Sequence, residues 1–379
     1  MDEITALLGE LVAIDSTNPE YSGNTSGEKE IGDYIYDYFK RSGIECERQD
    51  VTGPRSNIIA RVHGNQGNKD KKALLLCSHM DTVFIEGMTF IPLVREERLY
   101  GPGACDAKGS LASMMHALRM ISDVKKRDRD IWFLAVVSEE IYHLGITRFL
   151  KDFRSFDACV IGEPSRLDIG TAHKGFVRLR IRTYGKSAHG ATPELGINAI
   201  YTMNEIISEL KDVLIPSLGN IKHGSLGSPT INLGKIDGGV SFNLVPDSCT
   251  ILIDRRTLPG EDPEEVLDTF RESVNNITRK DQGLKAEVLD DVQTSPWLET
   301  GKNEKIVQAA EKAVSAVKGS KRCFGFPYVT DGGLVSRQGV PTIILGPGDA
   351  ANCHILEEYV DIRELKQAAE IYKNIYLNY

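Results

Sequence analysis

In the first 170 residues of this chain, short apolar runs alternate with amphipathic stretches, and three of the runs lead straight into an imidazole or a carboxylate. Apolar, β-branched runs of this length read as buried strands, and apolar residues spaced three and four apart read as helices. The pattern predicts helices over 2–14, from about 25 onward, and over 110–121. It predicts strands over 45–51, 57–62, 73–78, 131–137 and 158–161. Such alternation points to an α/β domain with a mostly parallel central sheet, because parallel neighbours need a crossover long enough to hold a helix. Thr25-Ser26-Gly27-Glu28 has the form of a capping box and marks the start of the second helix.

The middle of the chain reads differently. Strands are predicted over 176–183, 230–235, 249–254 and 284–289, and helices over 197–214 and 263–277. The order strand–helix–strand–strand–helix–strand is that of a ferredoxin-like α+β unit, which can fold alone. The expectation is therefore an inserted domain over 173–290, with 1–172 and 291–379 forming the other domain. The latter resumes with a helix over 303–317, a strand over 342–345 and a helix over 362–377.

Composition excludes some partners. The formal net charge is -9, from 45 basic and 54 acidic residues, which argues against nucleic acid and against recruitment to anionic membranes. No apolar run approaches the ~20 residues of a membrane span. The opening Met1-Asp2-Glu3-Ile4 lacks the apolar core of a signal segment. Seven cysteines are scattered without a C-x-x-C pair, so free thiols in the cytoplasm are expected.

The chemistry lies at strand ends, where open α/β sheets place their ligands. The run Leu74-Leu75-Leu76-Cys77-Ser78 delivers His79, with Asp81 two residues on. Alternation puts both on one side of an extended segment, and a ligating imidazole needs a partner on its second nitrogen. Tyr100-Gly101-Pro102-Gly103-Ala104-Cys105-Asp106 opens the helix at 110. It is not a dinucleotide loop, because Asp106 stands where the third glycine belongs. Its carboxylate can bridge two cations or simply cap the helix. Glu139 and Glu140 follow the run 132–137. Adjacent carboxylates there repel one another unless a dication is near or water solvates them. Val160-Ile161-Gly162 delivers Glu163, and Leu345-Gly346-Pro347-Gly348 precedes His354. Each position has an ordinary reading as a polar loop residue. Together they form a mixed nitrogen and oxygen donor set suited to zinc and related divalent ions.

At the level of whole motifs, the segments SHMDTV, GPGACDAKG, SEE, GEPS, AHKG, GKSAHG, NLVPDSCTILIDRRTLPG and LGPG…H occur in this order from Leu74 onward. In them the chain resembles the two-zinc aminoacylases and carboxypeptidases, a family that includes acetylornithine deacetylases, succinyl-diaminopimelate desuccinylases and glutamate carboxypeptidases. The resemblance implies a zinc-peptidase-like catalytic domain holding two divalent metal ions per subunit, zinc or cobalt. Asp106 would bridge them, His79 and Glu163 would complete one site, and Glu140 and His354 the other. Glu139 would be the general base and Asp81 the partner of His79. A cis peptide at Asp106–Ala107 is also implied. The inserted domain would be a lid that pairs two subunits into a homodimer. His189 would reach the partner's active site to stabilise the oxyanion, and Asn243 and Arg256 would grip the substrate carboxylate.

Arg suits that grip through its bidentate fork, although Arg255 and Arg256 can also be surface charges of a lid. Gly185-Lys186-Ser187 is not a phosphate loop, since Arg180 stands where its first glycine is needed. Cys77, Cys105 and Cys353 flank proposed ligands, so a thiolate could compete for zinc, although small neutral packing is the commoner role. The implied substrate is a small N-acylated amino acid or a dipeptide. AHKG and the LGPG loop are most similar to the acetylornithine deacetylase branch, ahead of the desuccinylases and then the dipeptidases and carboxypeptidases. A non-catalytic binder on the same fold is the different-class alternative, and it would call for a broken ligand set.

Overall fold

The computed structural model of the chain describes residues 2–22, 26–65, 73–153, 155–280 and 283–379. Two compact units emerge, one made of 1–171, 299–325 and 330–379, the other of 172–298 and 326–329.

The first unit is built on a mixed sheet. Leu74–His79 pairs in parallel with Ile131–Val136 on one side and Ala158–Ile161 on the other, and Thr342–Ile344 continues the parallel run beyond Ala158–Ile161. Parallel pairing thus stops at these four strands. On one flank Arg55–Val62 meets Ile131–Val136 antiparallel, and Glu45–Thr52 meets Arg55–Val62 antiparallel. The cause is local: only Gly53 and Pro54 separate those two strands, too few for a crossover, and Gly53 takes a φ of 53° to make the turn. On the other flank Ile344 meets Gly170 of Ile169–His173 antiparallel.

The helices Glu3–Val12, Lys29–Arg41, Lys108–Ser122, Lys305–Lys318 and Ile362–Asn378 contribute to one core with the sheet, among them Leu8, Phe39, Met114, Phe133, Val314 and Tyr372. Tyr372 is fully buried, and its hydroxyl donates to the Leu345 carbonyl at 2.7 Å, so the ring is packed without leaving a polar atom unpaired. Asp2 caps the first helix through Thr5 N at 3.1 Å. Thr25 of the expected capping box lies outside the described residues. The helix begins at Lys29, and Glu28 makes no capping bond. Glu28 is instead fully buried against Arg55, with Nη1 3.2 Å from Oε2.

Two features escaped the sequence pattern. Leu144–Asp152 is a helix. Leu93–Arg95, Arg98–Tyr100 and Tyr359–Asp361 form a small antiparallel sheet, with strands too short to show alternation. Its first hairpin turns at Glu96 and Glu97, both at positive φ (52° and 59°), as a two-residue hairpin of this hand requires. The sheet brings Glu358 beside the 101–106 loop, where Gly101 N donates to the Glu358 carbonyl at 3.0 Å.

The second unit is an antiparallel sheet ordered Thr230–Gly238, Ser248–Thr257, Gly175–Tyr184, Lys285–Val288. Its first strand in sequence therefore lies between the third and the fourth. Val177, Leu179 and Ile181 pack with Met203, Ile206, Phe270 and Ile277 of the helices Ala199–Glu209 and Pro263–Thr278, while Arg178, Arg180 and Arg182 take the other face. The helix expected over 197–214 becomes a π-helical turn from Leu210. Among the described residues no helix is long and apolar enough to cross a membrane.

Candidate metal centre

Four parallel strands have their carboxyl ends on one side, so the residues that follow them share one crevice. His79 closes its strand, Glu139 and Glu140 follow Ile131–Val136, and Glu163 follows Ala158–Ile161. Asp106 arrives from the loop ahead of Lys108–Ser122, and His354 from beyond Thr342–Ile344.

Among the described residues two donor groups share Asp106, His79, Asp106 and Glu163 in one and Asp106, Glu140 and His354 in the other, while Glu139, His143 and Asp331 form a third. Asp106 Oδ1 lies 3.0 Å from His79 Nε2, and its Oδ2 lies 3.3 Å from His354 Nε2. Each oxygen of one carboxylate thus faces a different imidazole. Glu163 Oε1 is 3.8 Å from His79 Nε2, and Glu140 Oε1 is 3.1 Å from His354 Nε2. The electrostatics are those of a crowded anionic site. Burial pushes the Glu163 and Glu140 carboxyls up, with neighbouring carboxylates adding to the rise. Burial acts on Asp106 in the same sense, but hydrogen bonds from His354 and His79 hold it far below its ordinary range. Three carboxylates, Glu163 buried and Asp106 and Glu140 part-buried, and two imidazoles in this arrangement fit a pair of divalent cations, which would offset the repulsion.

Hydrogen bonds from Asp106 and Glu140 push the His354 imidazolium up to about 11. A cation taking its Nε2 must displace that proton. Metal loading near neutral pH is therefore expected to release protons, and affinity to weaken as the pH falls. Calorimetric titration of zinc in two buffers of different ionisation enthalpy reads the proton count directly.

Asp81 organises the turn that carries Glu139 and Glu140. It is fully buried, accepts Glu139 N at 3.0 Å and Glu140 N at 3.1 Å, and takes Asn18 Nδ2 at 2.8 Å. His79 Nδ1 meets the Asp81 carbonyl at 3.0 Å and its carboxylate only at 3.5 Å. The imidazole thus bonds first to the main chain. Ser138, Tyr142 and His143 all sit at positive φ (60°, 72° and 51°), conformations that cost about 1 kcal/mol or more each for non-glycine residues. Buried bonds offset that strain: Glu28 Oε1 accepts Ser138 N at 2.7 Å, and Ser138 Oγ donates to the Ile141 carbonyl at 2.6 Å. His143 Nδ1 lies 2.9 Å from Asp331 Oδ1 and 3.9 Å from Glu139 Oε1.

Glu358, Glu28, Asn18, His143 and Asp331 were not visible in the sequence as site residues, since nothing local marks them. Glu358 is the clearest case. Its carboxylate accepts Gly103 N at 3.0 Å and both Cys105 N and Asp106 N at 2.9 Å, so it sets the backbone that presents Asp106. Burial, then the charge of Asp106, pushes it up to about 7. The Asp106–Ala107 peptide is cis. Glu358→Ala is expected to weaken cation binding about 10- to 100-fold. Stability should fall by about 1–3 kcal/mol for each amide left without an acceptor. Metal titration and thermal unfolding check the two effects.

His189, Asn243 and Arg256 belong to the second unit. Gly190 N donates to the Asn243 carbonyl at 2.8 Å, which sets the His189 and Asn243 loops side by side. A Cβ at Gly190 would lie 3.1 Å from the Asn243 backbone, a tight contact that glycine avoids. Ala191 N donates to His189 Nδ1 at 3.1 Å, which places the proton of the neutral ring on Nε2. Arg255 is buried against Glu261, while Arg256 is part-exposed with Nε 2.7 Å from Asp254 Oδ1. Neither is an unpaired surface charge.

The profile of peptidase family M20/M25/M40 matches residues 75–378. Among curated proteins, acetylornithine deacetylase from Vibrio parahaemolyticus is 30% identical over 97% of this chain and 95% of its own length. That from Photorhabdus laumondii is 30% identical over 94% and 92%. Among solved structures, aminopeptidase PepT from Bacillus cereus superposes with a TM-score of 0.80 at 22% identity, covering 98% of this chain and 96% of that one. An M20 family metallo-carboxypeptidase from Sulfolobus solfataricus gives 0.80 at 20% identity, covering 100% and 99%.

Proposed function

Because the chain belongs to peptidase family M20/M25/M40 and is thereby a metallohydrolase of amide bonds, we propose that it releases the acyl group from a small N-acylated amino acid, in the manner of an acetylornithine deacetylase. The observation that carries this reading is one aspartate shared by two donor groups, with Glu139 beside them and in neither. Acetylornithine deacetylases at 30% identity over nearly the whole chain support the substrate class.

His79, Asp106 and Glu163 would hold one cation, and Asp106, Glu140 and His354 the other. Bound there, two zinc or cobalt ions would polarise the scissile carbonyl and acidify the attacking water. Glu139 takes the proton of that water and returns it to the leaving amine. Asp81 holds Glu139 and Glu140 through their amides and fixes His79. His189, with its proton on Nε2, donates to the developing oxyanion. Asn243 and Arg256 hold the substrate carboxylate. A recess beside Asp106, Glu140 and His354 is also lined by Val83, Ile85, Met88, Ile355 and Leu356.

In this reading the enzyme is a cytoplasmic homodimer and its seven cysteines are reduced thiols. The exposed Tyr201, Ile236, Val240 and Phe242 of the second unit supply an apolar surface for the pairing. His189→Ala should lower kcat about 100- to 1,000-fold. Mixing it with Glu139→Ala under conditions of subunit exchange should restore measurable activity, because one mixed site would carry both native residues. If no activity returns although exchange is verified, His189 does not act across subunits. The substrate class itself is tested by assaying N-acetylornithine, N-succinyl-diaminopimelate and a set of dipeptides. Acetylornithine is expected to give the highest kcat/KM, and preference for a dipeptide would overturn the deacylase reading.

A further inference from the structure

Cys105 and Cys353 both adjoin donors of the candidate centre, Asp106 and His354. Their sulfurs are in contact, with Cys353 Sγ 3.6 Å from Cys105 Sγ. Both thiols turn to the same acceptor, the Asp349 carbonyl, at 3.4 Å from Cys105 and 3.8 Å from Cys353. Gly348 at φ 88° keeps the space open, since a Cβ there would meet Cys105 Sγ at 2.5 Å. Cys105 is fully buried, but Cys353 is only part-buried, so a small oxidant can reach the pair from its side.

We propose that Cys105 and Cys353 are an oxidative modification site, which a peroxide closes to a disulfide that withdraws His354 from the cation centre. The first thiol attacks one peroxide oxygen. The O–O bond breaks, water leaves, and a sulfenic acid remains. The second thiol then attacks that sulfur, and the hydroxyl departs with the remaining thiol proton as a second water. Two thiols are oxidised by two electrons and one hydrogen peroxide is reduced to two waters. Closing the bond to about 2.05 Å requires the sulfurs to approach by roughly 1.5 Å. That movement falls unequally. The backbone at Cys105 is fixed by Glu358, which accepts the amides of Gly103, Cys105 and Asp106. Cys353 follows the short 3-10 turn Ala350–Asn352 and precedes His354, which sits at φ 59°. The displacement therefore passes to His354, whose Nε2 faces Asp106 at 3.3 Å and Glu140 at 3.1 Å. A bound cation that holds His354 should oppose closure, so metal-loaded protein should oxidise more slowly than stripped protein.

The effect on activity rests on the function proposed above, whereas the cross-link does not. The test treats the full chain, metal-loaded and metal-stripped, with hydrogen peroxide, followed by digestion without reductant and mass spectrometry. The expected result is a linked peptide joining Cys105 to Cys353, an intact mass lower by two hydrogens, and loss of two of the seven free thiols. Bound metal and activity should fall about 10-fold or more and return with dithiothreitol. Cys353→Ser and Cys105→Ala should each remain folded and prevent both losses. Unchanged thiols, a link through another cysteine, or a sulfinic acid on Cys353 alone would overturn the proposal. A cross-link that forms while metal content stays constant would overturn the withdrawal of His354. A reversible cross-link in a protein that cleaves no N-acyl substrate would count against the proposed function instead, and leave the modification site standing.

Discussion

Glu139→Gln is expected to lower kcat by about 100- to 10,000-fold, the usual contribution of a positioned general base, while both cations remain bound. The expectation rests on where Glu139 sits. It belongs to neither of the two donor groups that share Asp106. Its amide is held by Asp81 at 3.0 Å, and that of Glu140 by the same carboxylate at 3.1 Å. One glutamate of the pair can thus serve as donor to those groups while the carboxylate of its neighbour faces His143 and Asp331 instead. Burial pushes the Glu139 carboxyl up, with His79 opposing and Asp331 and Glu140 reinforcing the shift. The carboxyl therefore has more proton affinity than a solvated glutamate, which suits a group that must accept a proton and then return it. Elemental analysis of the variant beside steady-state kinetics checks both halves. Near-wild-type turnover would remove Glu139 from the mechanism, and loss of metal together with turnover would make it a ligand.

The largest loss is expected from Asp106→Ala. This carboxylate gives one oxygen to the His79 side and the other to the His354 side. Removing it takes a donor from both groups at once, whereas His354→Ala or Glu163→Ala takes a donor from one. Asp106→Ala should therefore bind neither cation tightly and should have activity near background. The single-group variants should retain about one cation per chain. Stripping the native protein with a strong chelator should reproduce the Asp106 phenotype, and zinc or cobalt should reverse it, which no substitution allows. Metal-to-protein ratios and kcat/KM measured on the same samples decide the matter. A fully active, chelator-indifferent chain would end the two-cation reading.

The positions that converge on this centre were legible because each follows a recognisable break. His79, Glu140 and Glu163 come after apolar runs, and Asp106 precedes a helix. The sequence also distinguished the inserted sheet from the parallel one, through the change in element order after 172. What it could not show was support at long range. Glu358 acts on amides at 103, 105 and 106 through a three-stranded sheet whose strands have three residues each, too short for periodicity to register. Glu28 looked like a capping residue because the local pattern T-S-G-E is that of a helix start. Its buried partner Arg55 and its acceptor role toward Ser138 depend on tertiary packing that no window of sequence contains. The mostly parallel character of the central sheet was legible from its crossovers, whereas the antiparallel edge at Glu45–Thr52 follows from the two-residue link at Gly53 and Pro54.

The strand Thr342–Ile344 lies inside the sheet, between Ala158–Ile161 and Ile169–His173, although the ribosome makes it long after both. A chain still being synthesised therefore carries two unsatisfied strand edges through the whole production of the inserted unit. Those edges invite pairing with any other extended segment nearby. His354 emerges later still, so a growing polypeptide has His79, Asp106 and Glu163 available well before the remaining imidazole exists. Cation capture during synthesis would then proceed in two stages, and a product truncated ahead of 342 would be both sticky and half-equipped.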